Sequence, residues 1–315
     1  MGRIIFGANV PQIGSNYETV KQTVLECEKY GFDFVWISDH LQDLASTKSY
    51  MECWTTLSAL AEATTNIRLC TVLLNNLFRH PALVAKMSAT LDGISKGRLD
   101  FGIGAGWLEE ECTSNGIEFP GPAARIERLD EAIQIIQGLW TRDDVNFEGK
   151  HYSLKHATSN PKPIQRPHPP IWSGIMYGGR RMLKLIAKHA DVWTISGLYR
   201  PTPDDYRRIR SEIERYCLKK GRRPDTIKSG VGIGCVVAEN ESEVKRKSNQ
   251  FVPTTIATKG YAAKQMRLEG TPDQCIELLK PYIAAGVSCF VMAFPDITTK
   301  DPIRLFGEQI MPALR

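Results

Sequence analysis

The chain has 315 residues, 42% of them hydrophobic and 24% charged, with a formal net charge of +5. That hydrophobic fraction supplies a sizeable core and excludes the disordered and fibrous classes, while the interspersed acids and bases leave no concentrated basic stripe for a nucleic acid. The eight cysteines form no Cys-x-x-Cys pair and none stands beside a histidine at ligand spacing, so free, mostly buried thiols and no metal centre are expected. Strand-like Ile4-Ile5-Phe6 follows directly on the first residues, without a charged leader, and no later apolar run has membrane length. A cytoplasmic location is therefore expected.

In chain order, Arg3–Val10 reads as a first buried strand, and Tyr17, Val20, Val24 and Cys27 recur at helical spacing after it. Asp33–Ser38 and Ile67–Leu74 are the next two strands. Pro81 then suits a first helical turn, with an apolar face at Leu83, Val84, Met87, Leu91 and Ile94 and a stop at Gly97-Arg98. A fourth strand, Leu99–Gly104, leads to a helix marked by Ile126, Leu129, Ile133, Ile136 and Trp140. From about 145 to 170 the spacing breaks: Phe147-Glu148-Gly149-Lys150-His151-Tyr152 reads as a hairpin, followed by a proline-rich loop. Ile171–Gly174, Asp191–Ser196, Lys228–Val237 and Ser288–Phe294 complete the strands, with a helix at Tyr206, Ile209, Ile213 and Tyr216. An irregular segment at about 251–265 precedes a helix start at Thr271-Pro272-Asp273. Eight strands alternating with helices predict an α/β fold, a (β/α)8 TIM barrel forming one domain over 1–315, with an open doubly wound sheet as the alternative.

In such a barrel the active site lies where the strands end, which selects Asn9, Asp39, His40, Thr71 through Asn76, Gly104 through Trp107, Ser173, Gly174, Ser196 and Phe294. Asp39-His40 places a carboxylate and an imidazole side by side at one exit, a pair suited to proton exchange near neutral pH. The structural alternative has Asp39 capping a turn and His40 packing as a neutral donor. Gly102-x-Gly104-x-Gly106 is an imperfect dinucleotide fingerprint, since Trp107 fills the position of the third glycine. At a strand exit it offers a shelf for a ring or phosphate with Trp107 as an aromatic wall; the alternative is a tight turn with Trp107 plugging the core. Gly178, Gly179, Arg180 and Arg181 open a helix after Gly174, where free N–H groups and two cations suit a phosphate.

Taken together, Trp36-Ile37-Ser38-Asp39-His40, Arg79-His80-Pro81, Leu91-Asp92-Gly93-Ile94-Ser95-Lys96-Gly97-Arg98, Gly104-Ala105-Gly106-Trp107, Pro161-Lys162-Pro163 and His168-Pro169-Pro170-Ile171 resemble the bacterial-luciferase-like flavin and deazaflavin oxidoreductases. Within that family they look like the branch using coenzyme F420. The resemblance implies a luciferase-like barrel with the insertion segments at the C-terminal face of the strands and the deazaflavin lying across the strand ends. It implies Asp39 and His40 as catalytic residues. Cofactor contacts would come from Asn9, Asp39, Val72, Leu73, Gly104, Ala105, Gly106, Trp107, Gly174, Gly178, Gly179, Arg180 and Arg181. A non-prolyl cis peptide near Val72-Leu73, a small organic substrate and a homodimer are also implied. Branch members acting on sugar phosphates carry glutamate where Trp107 stands and tryptophan where Leu44 stands. Those reducing methylene-tetrahydromethanopterin carry a glutamate where Asn9 stands. Both departures count against those substrates. An FMN-dependent monooxygenase and a non-catalytic flavin- or deazaflavin-binding protein are the alternatives on the same scaffold.

Overall fold

Short apolar strands alternating with helices close into a parallel barrel in the computed structural model, which describes residues 3–42, 48–175, 179–196, 201–250 and 267–315. The strands are β1 (Ile5–Asn9), β2 (Phe34–Ile37), β3 (Arg68–Thr71), β4 (Leu74–Asn75), β5 (Leu99–Gly104), β6 (Val145–Glu148), β7 (Ser153–Ala157), β8 (Ile171–Ile175), β9 (Val192–Ile195), β10 (Lys228–Val237), β11 (Arg267–Gly270) and β12 (Cys289–Ala293). Around them run α1 (Tyr17–Lys29), α2 (Cys53–Ala63), α3 (Pro81–Ile94), α4 (Glu109–Ser114), α5 (Pro122–Thr141), α6 (Arg180–His189), α7 (Pro203–Lys219), α8 (Glu241–Gln250) and α9 (Pro272–Ala284), before short C-terminal turns. Parallel pairing runs β1–β2–β3–β5–β8–β9–β10–β12 and returns to β1, where Ile5 faces Cys289. That last pairing excludes the open sheet.

Residues alternate along each strand between two packing environments. Phe34, Cys70, Trp172, Val192, Cys289 and Val291 form one cluster, with Ile5, Trp36, Val72 and Leu73 against it. Their neighbours Val35, Leu69, Ile171, Trp193 and Phe290 belong to the main core under the helices. The first set therefore fills the barrel lumen. Room for it comes from glycine: a Cβ on Gly7 would sit 2.0 Å from the Phe34 ring, and one on Gly102 would sit 1.9 Å from the Thr71 carbonyl oxygen.

Three expectations need correction. The run Ile67–Leu74 is two strands, β3 and β4, separated by a cis peptide between Val72 and Leu73. β11 pairs with β10 outside the closed ring; its four residues hold one aliphatic side chain, Leu268, so no apolar run announced it. On α3, Val84 and Leu91 are buried, but Leu83 is 52% and Ile94 43% exposed and Met87 is half-buried. Small residues displace that stripe: Ala85, Ser88 and Ala89 turn inward, and the Trp140 indole on α5 donates to the Ala85 carbonyl oxygen and to Ser88 Oγ at 3.2 and 3.1 Å. Close packing rewards the small face over the larger aliphatics.

The segment after α3 is structural. Lys96 and Gly97 take φ values of 56° and 81°, reversing the chain into β5. Buried Asp92 accepts from the Ile164 and Gln165 amides at 2.7 and 2.9 Å. Arg98 spends its guanidinium on the Ala61, Thr64, Ile67 and Ser95 carbonyl oxygens, tying the end of α2 to the start of β3. The expected hairpin is β6–β7, with Glu131 on α5 accepting from the Lys150, His151 and Tyr152 amides at its turn. Thr271 and Gln274 form a capping box at the start of α9. All eight cysteines are free and buried. The segment at about 251–265 lies outside the described residues, as do Leu44 and Gly178. No helix among the described residues is long and apolar enough to cross a membrane.

Candidate active site

The C-terminal ends of β1, β2, β4, β5, β8 and β12 meet on one face of the barrel, and parallel pairing forces this. Asn9 at the end of β1 is buried; its Oδ1 accepts from the Phe294 amide at 2.8 Å, joining the exits of β1 and β12. Gln12 brackets the exit of β2, accepting from the Ser38 amide and donating to the Ser38 carbonyl oxygen, both at 2.9 Å. The next two residues are thereby held in place.

Although adjacent, Asp39 and His40 have separate partners. Arg79 donates to both Asp39 carboxylate oxygens, at 2.7 and 3.0 Å, and the Asn75 amide donates at 2.9 Å. Arg79 also donates to Glu52 Oε1 at 2.8 Å. Burial pushes the Asp39 carboxyl above its ordinary value, against the pull of Arg79 and the Asn75 amide. With those three donors in place, Asp39 fastens the β2, β4 and α3 ends together.

His40 turns the other way. Its Nδ1 lies 2.9 Å from Glu111 Oε2, and the Leu41 amide donates to Glu111 Oε1 at 2.7 Å. Glu111 is fully buried at the start of α4. A carboxylate only accepts, so this contact places the ring proton on Nδ1 and leaves the Nε2 lone pair of the neutral ring for another partner. Nε2 has no hydrogen bond among the described residues. The Trp107 and Tyr50 rings stand nearly perpendicular to the imidazole, at centroid distances of 6.0 and 5.8 Å. Trp107 is half-buried beside His40, as a wall would be.

The glycine exit of β5 serves two ends. Gly106 has φ +79°, and a Cβ there would meet Asn75 Oδ1 at 2.6 Å, so the turn itself requires glycine. Cβ atoms on Gly104 and Gly174 would lie 3.3 and 3.0 Å from Leu73 Cδ1, so these two positions make room for the residue after the cis peptide. Ala105 packs on the core. On α6, Gly179 is the N-cap and supplies no side-chain cap. Arg180 and Arg181 are exposed and make no ion pair among the described residues.

Glu111 and Arg79 are the residues that sequence reading missed. Arg79 lies in a quoted motif but was read only as a helix start; Glu111 lies in Glu109-Glu110-Glu111, where nothing distinguishes the buried member from its exposed neighbours.

The family model for luciferase-like monooxygenases matches residues 5–289. This chain belongs to that family. A luciferase-like relative from Kineococcus radiotolerans, an F420-dependent glucose-6-phosphate dehydrogenase, is 34% identical over 92% of this chain and 91% of its own length. An FMNH2-dependent dimethylsulfone monooxygenase of Pseudomonas putida is 23% identical, covering 91% and 85%. Among solved structures, an F420-dependent secondary alcohol dehydrogenase in complex with an F420-acetone adduct superposes with a TM-score of 0.83 over the whole of both chains, at 22% identity. The protein is thus a luciferase-like oxidoreductase, of a family whose members use a flavin or deazaflavin on small molecules.

Proposed function

We propose that this luciferase-like protein is a coenzyme F420-dependent oxidoreductase moving a hydride between the deazaflavin and a small organic substrate, with His40 exchanging the accompanying proton. The observation that carries this reading is the His40 ring fixed by Glu111, with Nε2 uncommitted at the strand ends. When bound, the deazaflavin supplies a two-electron hydride donor or acceptor at its C5 carbon. A substrate oxidised by hydride loss also loses a proton, and His40 Nε2 accepts it; in the reducing direction the same atom donates. Asp39, committed to Arg79, positions the β2 exit instead of moving protons. Trp107 excludes water beside the imidazole and walls the substrate. Val72 and Leu73, between β3 and β4, would form the floor on which the ring rests.

The residues suit the anionic cofactor. Arg180 and Arg181, exposed at a helix start with no acidic partner among the described residues, would hold the phosphate and polyglutamyl tail, and the first α6 amides would add to their field. Trp107 gives no carboxylate to a sugar-phosphate site, so we place the substrate among unphosphorylated organic compounds. Incubating the protein separately with F420 and with FMN, desalting, and recording absorbance tests the cofactor assignment. Retention of F420 and not FMN supports it; retention of FMN alone, with oxygen-dependent turnover, replaces it with a monooxygenase.

A further inference from the structure

At the opposite end of the barrel from His40, the strand starts surround a cavity of about 660 Å³. Arg3 stands just before β1, Asp33 just before β2, and Arg68 and Lys228 begin β3 and β10, so this is the N-terminal mouth. Its volume falls within the ~300–1,000 Å³ usual for small-molecule sites. Ile5, Phe34, Trp172 and Val192 from the lumen cluster give it an apolar inner wall, and the rim is charged.

Hydrogen-bond accounting decides which ligand fits. Asp33 and Asp100 at this mouth are matched on both carboxylate oxygens, and Glu28 on one. Asp33 accepts from Arg3, Arg315 and the Phe6 amide at 2.7–2.8 Å. Asp100 accepts twice from Arg68, at 2.8 and 2.9 Å. Glu28 accepts from the amides of Thr65, Asn66 and Ile67. Among the cations, two keep donors to spare. Lys228 is exposed, and its ammonium makes no ion pair or hydrogen bond among the described residues; Arg3 commits one nitrogen to Asp33 and is otherwise exposed. Trp172 is 1% exposed, and its indole N–H has no acceptor. A buried donor without a partner is costly unless something supplies an oxygen.

We propose that this N-terminal mouth is a second binding site, for a small organic monocarboxylate with an apolar body. Lys228 and Arg3 hold the carboxylate at the rim, and the body lies against the half-buried Ile5 and Pro170, over the buried Phe34 and Trp172 rings. The barrel's N-terminal face ordinarily serves stability, and the satisfied ion pairs there do so. An uncommitted lysine beside an aromatic wall adds nothing to that role. This inference does not depend on which cofactor occupies the other end.

Titration of the full-length protein with benzoate, acetate and benzamide, followed by calorimetry and by tryptophan fluorescence, tests the site. Benzoate should bind saturably with Kd near ~1 mM. Benzamide, of the same shape without the charge, and acetate, with the charge but no ring, should bind much more weakly. Lys228→Met, at an exposed position that should leave cooperative unfolding intact, should weaken benzoate about tenfold, as expected for one lost charge-assisted contact. Trp172→Phe removes the indole nearest the mouth, so the binding-induced change in tryptophan fluorescence should shrink while calorimetry still reports benzoate binding. No saturable benzoate binding up to ~10 mM overturns the proposal, as do equal affinities for benzoate and benzamide or for wild type and Lys228→Met.

Discussion

Neighbouring side chains at the exit of β2 divide the work: Asp39 answers to Arg79 and His40 to Glu111. If His40 carries the proton, His40→Ala should lower kcat by ~10²–10⁴-fold while changing cofactor affinity little. Glu111→Gln should give a smaller loss, because its amide can still reach Nδ1 but no longer fixes the tautomer, and it should displace the pH profile of kcat. Steady-state kinetics beside a cofactor titration checks both variants, and an unchanged kcat in His40→Ala removes the imidazole from the mechanism. Trp107→Ala is expected to raise the KM for substrate or the Kd for cofactor and to leave thermal unfolding cooperative, since the ring is half-buried beside His40. Loss of cooperative unfolding would make Trp107 a core plug. The pairing of His40 with Glu111 was not legible in the sequence, because 71 positions separate the two and the fold alone brings them together.

The two ends of α6 each carry an expectation about charge. Asp130 on α5 takes His189 Nε2 at 2.7 Å and Lys188 Nζ at 2.9 Å from the end of α6. Burial alone would push the Asp130 carboxyl up; the hydrogen bonds and charges of His189 and Lys188 outweigh it and bring it to about 2. A carboxyl depressed on folding contributes stability that is complete above its unfolded value of roughly 3.9 and disappears as pH falls through the folded value near 2. Urea midpoints of wild type and Asp130→Asn should therefore differ at neutral pH and converge toward pH 2; a gap that is constant with pH would exclude this linkage. At the other end of α6, Arg180→Ala with Arg181→Ala should weaken F420 binding mainly at low salt, because exposed charges are screened over roughly 8–10 Å at physiological ionic strength. Equal affinity at both salt concentrations would make the helix start an ordinary basic turn.

For the whole molecule, closure of the barrel puts residues from 9 to 294 on one face, and it leaves part of α3 uncovered. Leu83, Met87 and Ile94 fall on one stripe of that helix at four- and seven-residue steps, with Leu83 and Ile94 exposed. The homodimer implied by the resemblance would bury such a stripe, as exposed apolar patches mark association surfaces. Leu83→Arg with Ile94→Arg should then give half the wild-type mass by light scattering, with the far-ultraviolet spectrum kept. An unchanged mass would place any dimer contact elsewhere.

The sequence by itself determined the repeat: periodicity placed all eight barrel strands, the hairpin and most of the helices, though not α2 or α8, because burial on both faces makes parallel strands read as unbroken apolar runs. It also put Asp39, His40 and Trp107 at strand exits, since topology sends every exit of a barrel to one end. Tertiary structure alone decided which face of α3 is buried, where Ala85 and Ser88 against Trp140 outweighed Leu83 and Ile94. It likewise decided that Asp92 and Arg98, in the most distinctive motif, fasten loops at the barrel's far end, and that one of three consecutive glutamates holds the His40 imidazole. Local pattern records how a residue meets its neighbours along the chain. Partners tens of residues away are set by packing, and packing exists only once the barrel has closed.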